Sequence, residues 1–129
     1  MKHWVLALGL ALASVMPAGA QQIIGEYYAL LGPQDMRNSR GQRLGNFCAV
    51  VQQDRANFHR FGRGDDLDSW DPVFADKAMR ARIAGNCRVQ SGYEYIPRAV
   101  MSGETRYIWV RILGRGGVPT QLLITEGAG

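Results

Sequence analysis

The chain has 129 residues, a formal charge of +4 and an ordinary apolar share of 47%. Those values do not indicate disorder and leave room for one small domain. Its 15 basic residues, nearly all arginine, outnumber 11 acids, a balance that suits anionic polymers or lipid head groups.

Met1-Lys2-His3 opens the chain, an apolar run from Trp4 to Val15 follows, and Pro17 precedes Ala18-Gly19-Ala20. A basic start, a short apolar stretch and an A-x-A site spell a secretory signal peptide, 1–20, cleaved before Gln21. The run is too short for a comfortable membrane span, so no transmembrane segment is expected in the exported chain. A single domain, 21–129, is expected to work in the periplasm or outside the cell. Cleavage removes Lys2 and leaves a charge of +3.

Ile23 to Leu31 is apolar and aromatic, and its pattern does not choose between strand and helix. Gly32-Pro33 stops it, and Asp35, Asn38, Ser39 and Gly41 predict turns before Arg43. Leu44 to Gly62 carries the clearest helical period. Asn46 is its predicted N-cap, and Gly62 suits its end. Leu44, Phe47, Cys48, Val51 and Phe58 share a core side, whereas Gln53, Ala56, Asn57 and Arg60 face water. Asp54 and Arg55 break the apolar stripe by pointing inward. Gln52, Arg55 and His59 run along its edge, so Gln52, Asp54, Arg55 and His59 form a candidate polar site. Its plain alternative is a buried hydrogen-bond network, because unpaired buried charge is costly.

Gly62 to Asp71 reads as a solvated acidic loop. Asp66, Asp68 and Asp71 fail the calcium-loop template, which wants glycine at position six and glutamate at twelve. Arg63-Gly64-Asp65 matches an adhesion tripeptide, which is weak without context. Asp71-Pro72 predicts a second helix with Asp71 as N-cap. Phe74, Ala75, Ala78, Met79 and Ala81 form its apolar side, Asp76 and Arg80 pair on its wet side, and Gly85-Asn86 ends it. From Arg88 the period is two, through Val89, Ser91, Tyr93 and Tyr95. Pro97 interrupts that strand or places it at an edge. Tyr107 to Leu113 and Gln121 to Thr125 are further strands, with turns at Ser102-Gly103 and Gly114 to Gly117.

The expected fold is therefore α+β: two helices on a three- to four-stranded antiparallel sheet, with one disulfide between Cys48 and Cys87. An isolated cysteine pair in an exported chain reads as a disulfide. Closing a loop of roughly 40 residues restricts the unfolded chain by about 4 kcal/mol in the loop-entropy model.

No residue set marks a catalytic, cofactor or metal site. H-E-x-x-H, C-x-x-C, a phosphate loop, G-x-G-x-x-G and G-x-S-x-G are all missing. His59 is the only histidine after residue 20. The sequence leans away from an enzyme and towards an exported binding or envelope-associated module of unknown ligand. The second reading is a small hydrolase using His59 with a carboxylate such as Asp54. Tyr107, Trp109 and Arg111 alternate onto one strand face and form a candidate ligand surface. The partner expected is an anionic envelope polymer or another protein. Export argues against nucleic acid.

Overall fold

The computed structural model describes Gly9 and residues 21–128. The signal-peptide expectation falls on residues 1–20 and lies outside the described residues, Gly9 apart.

Among the described residues the fold is α+β, with three helices and a four-stranded mixed sheet whose strands lie in the order β1 (Gln22–Leu31), β3 (Arg106–Arg115), β4 (Val118–Glu126), β2 (Cys87–Val89). Ile23 to Leu31 resolves as strand: β1 is Gln22–Leu31. It pairs antiparallel with β3, Arg106–Arg115, which forms a hairpin with β4, Val118–Glu126. Gly116 and Gly117 both take positive φ in the two-residue turn, the conformation that lets a tight hairpin follow the strand twist.

The sheet is not purely antiparallel, and this corrects the expected fold. β2, Cys87–Val89, is only three residues long and runs parallel to β4. The predicted strand through Tyr93 and Tyr95 breaks off there. A third helix, Tyr95–Met101, carries the chain back before β3. Pro97 lies in the first turn of this helix, where its missing amide would have had no intrahelical acceptor.

Side chains alternate across the sheet. Tyr27, Ala29 and Leu31 of β1, Ile108, Val110 and Ile112 of β3, and Leu122 and Ile124 of β4 are buried on one face. The first helix, α1 (Phe47–His59), contributes Phe47, Val50 and Val51 to that core, and the Tyr95–Met101 helix adds Ile96 and Val100. Asn46 caps α1 by accepting the Ala49 amide at 2.9 Å, as predicted.

The second helix, α2, spans only Lys77–Ala81, and Asp76 is its N-cap. The sequence placed the start at Asp71. Asp71 does accept the amides of Val73 and Phe74, at 2.8 and 2.6 Å, but they close a turn and the chain re-enters a helix later. The expected Asp76–Arg80 ion pair is absent, because Asp76 is used as the cap and Arg80 turns inward.

Gly62 to Asp71 is not simply solvated. Asp68 accepts the Leu30 amide at 2.7 Å, and Ser69 exchanges bonds with both backbone groups of Tyr28. The loop thereby fills the free edge of β1, which an open edge strand requires. Among the described residues no group of three or more acidic, histidine or cysteine side chains is placed to hold a metal ion. No described helix is long and apolar enough to cross a membrane.

The expected disulfide is not formed. Cys48 and Cys87 are free thiols with sulfurs 2.9 Å apart, longer than the ~2.05 Å of an S–S bond. Pairing of these two residues was foreseen correctly; the covalent link was not.

Candidate functional site: a cationic groove above a buried ion network

The polar residues that interrupt α1 lie in the core. Arg55 is 0% exposed. Its guanidinium lies over the Tyr27 ring, 3.9 Å from the centroid, with the Phe58 ring 4.6 Å away. Its Nε donates to Asp54 Oδ2 at 2.9 Å, and its Nη1 donates to Asp71 Oδ2 at 3.1 Å and to the Ser69 carbonyl at 2.9 Å. Two carboxylates and a carbonyl therefore share one cation, which is how a charge is kept in a low-dielectric interior.

His59 joins this network through Asp71, not Asp54. Its Nε2 lies 2.6 Å from Asp71 Oδ2. Burial alone would push Asp71 up. The bonds from His59, the Phe74 and Val73 amides and Arg55 outweigh it and hold the carboxyl below its usual range. Asp54 goes the other way: burial drives its pKa well up against the pull of Arg55. Its Oδ1 is buried without a partner, as are Arg55 Nη2 and the Tyr27 hydroxyl.

A second buried acid lies beside the network. Asp35 accepts from Asn57 Nδ2 at 2.9 Å and from the Gly32 amide at 3.0 Å. Burial raises its pKa to about 6. Asn57 is 5% exposed, so its predicted place on the wet face of α1 is also corrected; Asp35 draws it inward.

Gln52 leaves the predicted polar site. It belongs to a groove of about 320 Å³ between α1 and α2, whose wall also holds Gln53, Arg60, Lys77 and Arg80. Among the described residues no carboxylate lines this groove. Among the described residues, Arg60, Lys77 and Arg80 have no acidic partner within salt-bridge distance. Arg80 is the unusual member, at 5% exposed. Its Nη1 is fixed by the carbonyls of Phe74 and Ala75, both at 2.9 Å, while Nε and Nη2 have no hydrogen-bond partner among the described residues. None of its nitrogens is sealed without a partner, so the donors not used by the carbonyls are open to an oxyanion seated against the guanidinium.

On the other side of Gln53 lies a second groove of about 440 Å³, walled in part by Arg37, Asn57, Phe61 and Arg63. It too has no lining carboxylate, though Asp65 sits near its rim, bonded to Gln34 at 3.2 Å. The outward face of α1 thus separates two adjoining depressions that carry five cations between them.

Tyr107, Trp109 and Arg111, the candidate ligand surface, lie on one face of β3 by strand alternation. The Tyr28 ring stacks on Tyr107 and on Trp109, with centroids 5.7 and 6.2 Å apart. Arg111 lies 4.7 Å over the Trp109 ring and donates to Gln90 at 2.9 Å. These side chains are largely engaged with one another.

Sequence reasoning missed Arg80 and Lys77. The sequence carried no signal for them, because α2 is only five residues long and the turn that buries Ile83 begins directly after it.

Compared with known proteins, the chain matches no family model, no curated protein and no solved structure.

Proposed function

We propose that the protein is a small exported binding module that holds an anionic polymer of the cell envelope in the grooves flanking α1. The observation that carries this is Arg80: buried, without a carboxylate partner, and contributing to a groove that also holds Arg60 and Lys77. Oxyanions bind arginine through paired charge-assisted hydrogen bonds, and the amides of Gln52 and Gln53 add neutral donors. The second groove, with Arg37 and Arg63, continues the cationic track, so a ligand with repeated oxyanions gains from both. Export rests on the basic start, apolar run and A-x-A site of the first twenty residues.

The hydrolytic reading is favoured only by the short His59–Asp71 contact. Against it, Asp71 Oδ2 is already shared with Arg55, and His59 lines neither groove. In the binding account His59 is a structural member of the network.

The test is calorimetric titration of the 21–129 protein with tripolyphosphate as polyanion probe and a maltooligosaccharide as neutral control. The probe should bind, weakening as salt rises, and the control should not. Combined Arg60→Gln and Lys77→Gln replacement should weaken binding at least tenfold, the equivalent of ~1.4 kcal/mol. Equal affinity for the neutral sugar, or no effect of the double replacement, would overturn the proposal.

A further inference from the structure

Cys48 is the second residue of α1 and Cys87 the first of β2, so the two thiols meet where the turn after α2 crosses the start of α1. Neither residue is sealed in the core; both are half-buried. Their surroundings are unequal. The Cys48 sulfur accepts the Cys87 amide at 3.2 Å, and the Cys87 thiol lies 2.9 Å away. It also sits in the first turn of a 13-residue helix, where unpaired amides concentrate positive potential. Each sulfur also faces a backbone carbonyl, Cys48 that of Cys87 at 3.7 Å and Cys87 that of Ile83 at 3.6 Å, so the difference between them is the amide donor and the helix start, which Cys48 alone has.

We infer that Cys48 and Cys87 form an exchange-competent dithiol, with Cys48 as the attacking sulfur, Cys87 as the resolving one, and an accessible external disulfide as the co-reactant. The direction of the titrations agrees. Donation from the Cys87 thiol, opposed by burial and helped by the Cys87 and Gly85 amides, lowers Cys48 to about 7. The bond to Cys48, together with burial, drives Cys87 far up.

The chemistry balances without another reagent. Cys48 thiolate attacks one sulfur of R–S–S–R, that bond breaks, and RS⁻ leaves and takes up a proton. Cys87 then loses its proton to solvent and attacks the Cys48 sulfur of the mixed disulfide. A second RS⁻ leaves and is protonated. Two electrons pass from the pair to the external disulfide, giving two RSH and a Cys48–Cys87 bond. A dithiol reverses the sequence. This assignment is independent of the groove, and failure of polyanion binding leaves it untouched.

The experiment uses iodoacetamide and oxidised glutathione on the reduced 21–129 protein. Alkylation of wild-type Cys48, followed by peptide mass, should titrate with a midpoint of about 7. In Cys87→Ala the midpoint should rise towards the ordinary thiol value of ~8.5, and reactivity at neutral pH should fall roughly tenfold. The same variant should accumulate glutathione on Cys48, whereas wild type should pass to the internal disulfide and be reduced again by dithiothreitol with its circular dichroism unchanged. An ordinary wild-type midpoint overturns the inference even when the variant does not fold. So does preferential modification of Cys87 over Cys48 in wild type, or a disulfide that is reduced only after denaturation.

Discussion

Replacing Arg55 tests the buried network most sharply. In Arg55→Ala the Asp71 carboxylate loses its partner at 3.1 Å, Asp54 loses its bond at 2.9 Å, and the Ser69 carbonyl loses a donor. The Tyr27 and Phe58 rings also lose the planar group between them. Breaking one member out of a buried ion pair costs about 3–5 kcal/mol, because the remaining charge stays buried without compensation. Arg55 is fully buried, so the upper half of that range is expected. For a domain of this size a loss of that order consumes much of the ~5–15 kcal/mol available. Arg60→Ala is the control on the same helix. Arg60 is exposed, has no acidic partner among the described residues and lies over the neighbouring Phe61 ring, so its loss should stay within ~0.5 kcal/mol. Urea unfolding of both variants, read by circular dichroism, gives the two values. Equal small losses would refute the network as a stabilising centre and would mean that Arg55 reaches solvent in solution.

Asp35 gives a pH prediction whose sign is fixed. Its folded pKa, about 6, lies above the model-compound 3.8, so the folded state binds the extra proton and stability falls as pH rises between those values. The cost is absent below about 4 and complete above about 6, on the order of 2–3 kcal/mol at 1.36 per unit; urea unfolding of wild type against Asp35→Asn should diverge across that window, and a pH-independent difference would contradict it. Asp71 acts at the acid end in the opposite sense: its lowered pKa stabilises the fold above about 4 and that stability is lost as pH falls further, so Asp71→Asn should be least harmful, relative to wild type, in strong acid. Gly114→Ala should destabilise by about 1–3 kcal/mol, because its new methyl would collide with the Val118 carbonyl and lie 2.6 Å from Ile24 Cδ1. A thermal midpoint equal to wild type would show that the hairpin shifts freely. His59→Ala should lower the melting temperature and leave tripolyphosphate affinity unchanged; the reverse pattern would return His59 to the binding or catalytic site.

How far the sequence discloses this molecule depends on the range of the interaction. Asp54 and Arg55 were legible because charge inside an apolar helical stripe has to be buried or the helix turned. Asn46 and the Gly116-Gly117 turn were legible because caps and tight hairpins are decided by neighbouring residues. The Tyr95–Met101 helix was not, since Pro97 reads as a strand breaker unless its place in a first helical turn is known. β2 was not, because three residues carry no period and its parallel pairing with β4 depends on where the chain returns. The groove was least legible of all. It needs Lys77 and Arg80 from α2 to line the same depression as Arg60 from α1, a placement that depends on how the two helices pack and not on the period of either. Asp71 holds the Val73 and Phe74 amides on Oδ1 and meets His59 and Arg55 through Oδ2, whereas the sequence had offered Asp54 as the partner of His59.

The central claim is that the cationic groove around Arg80, not the stacked aromatic face of β3, receives the ligand. Amide NMR of the labelled 21–129 protein titrated with tripolyphosphate separates the two. The account predicts saturable shifts at Gln52, Gln53, Arg60, Lys77 and Arg80, abolished at high salt. Shifts confined to Tyr107, Trp109 and Arg111, or spread evenly over all exposed arginines without saturation, would contradict it.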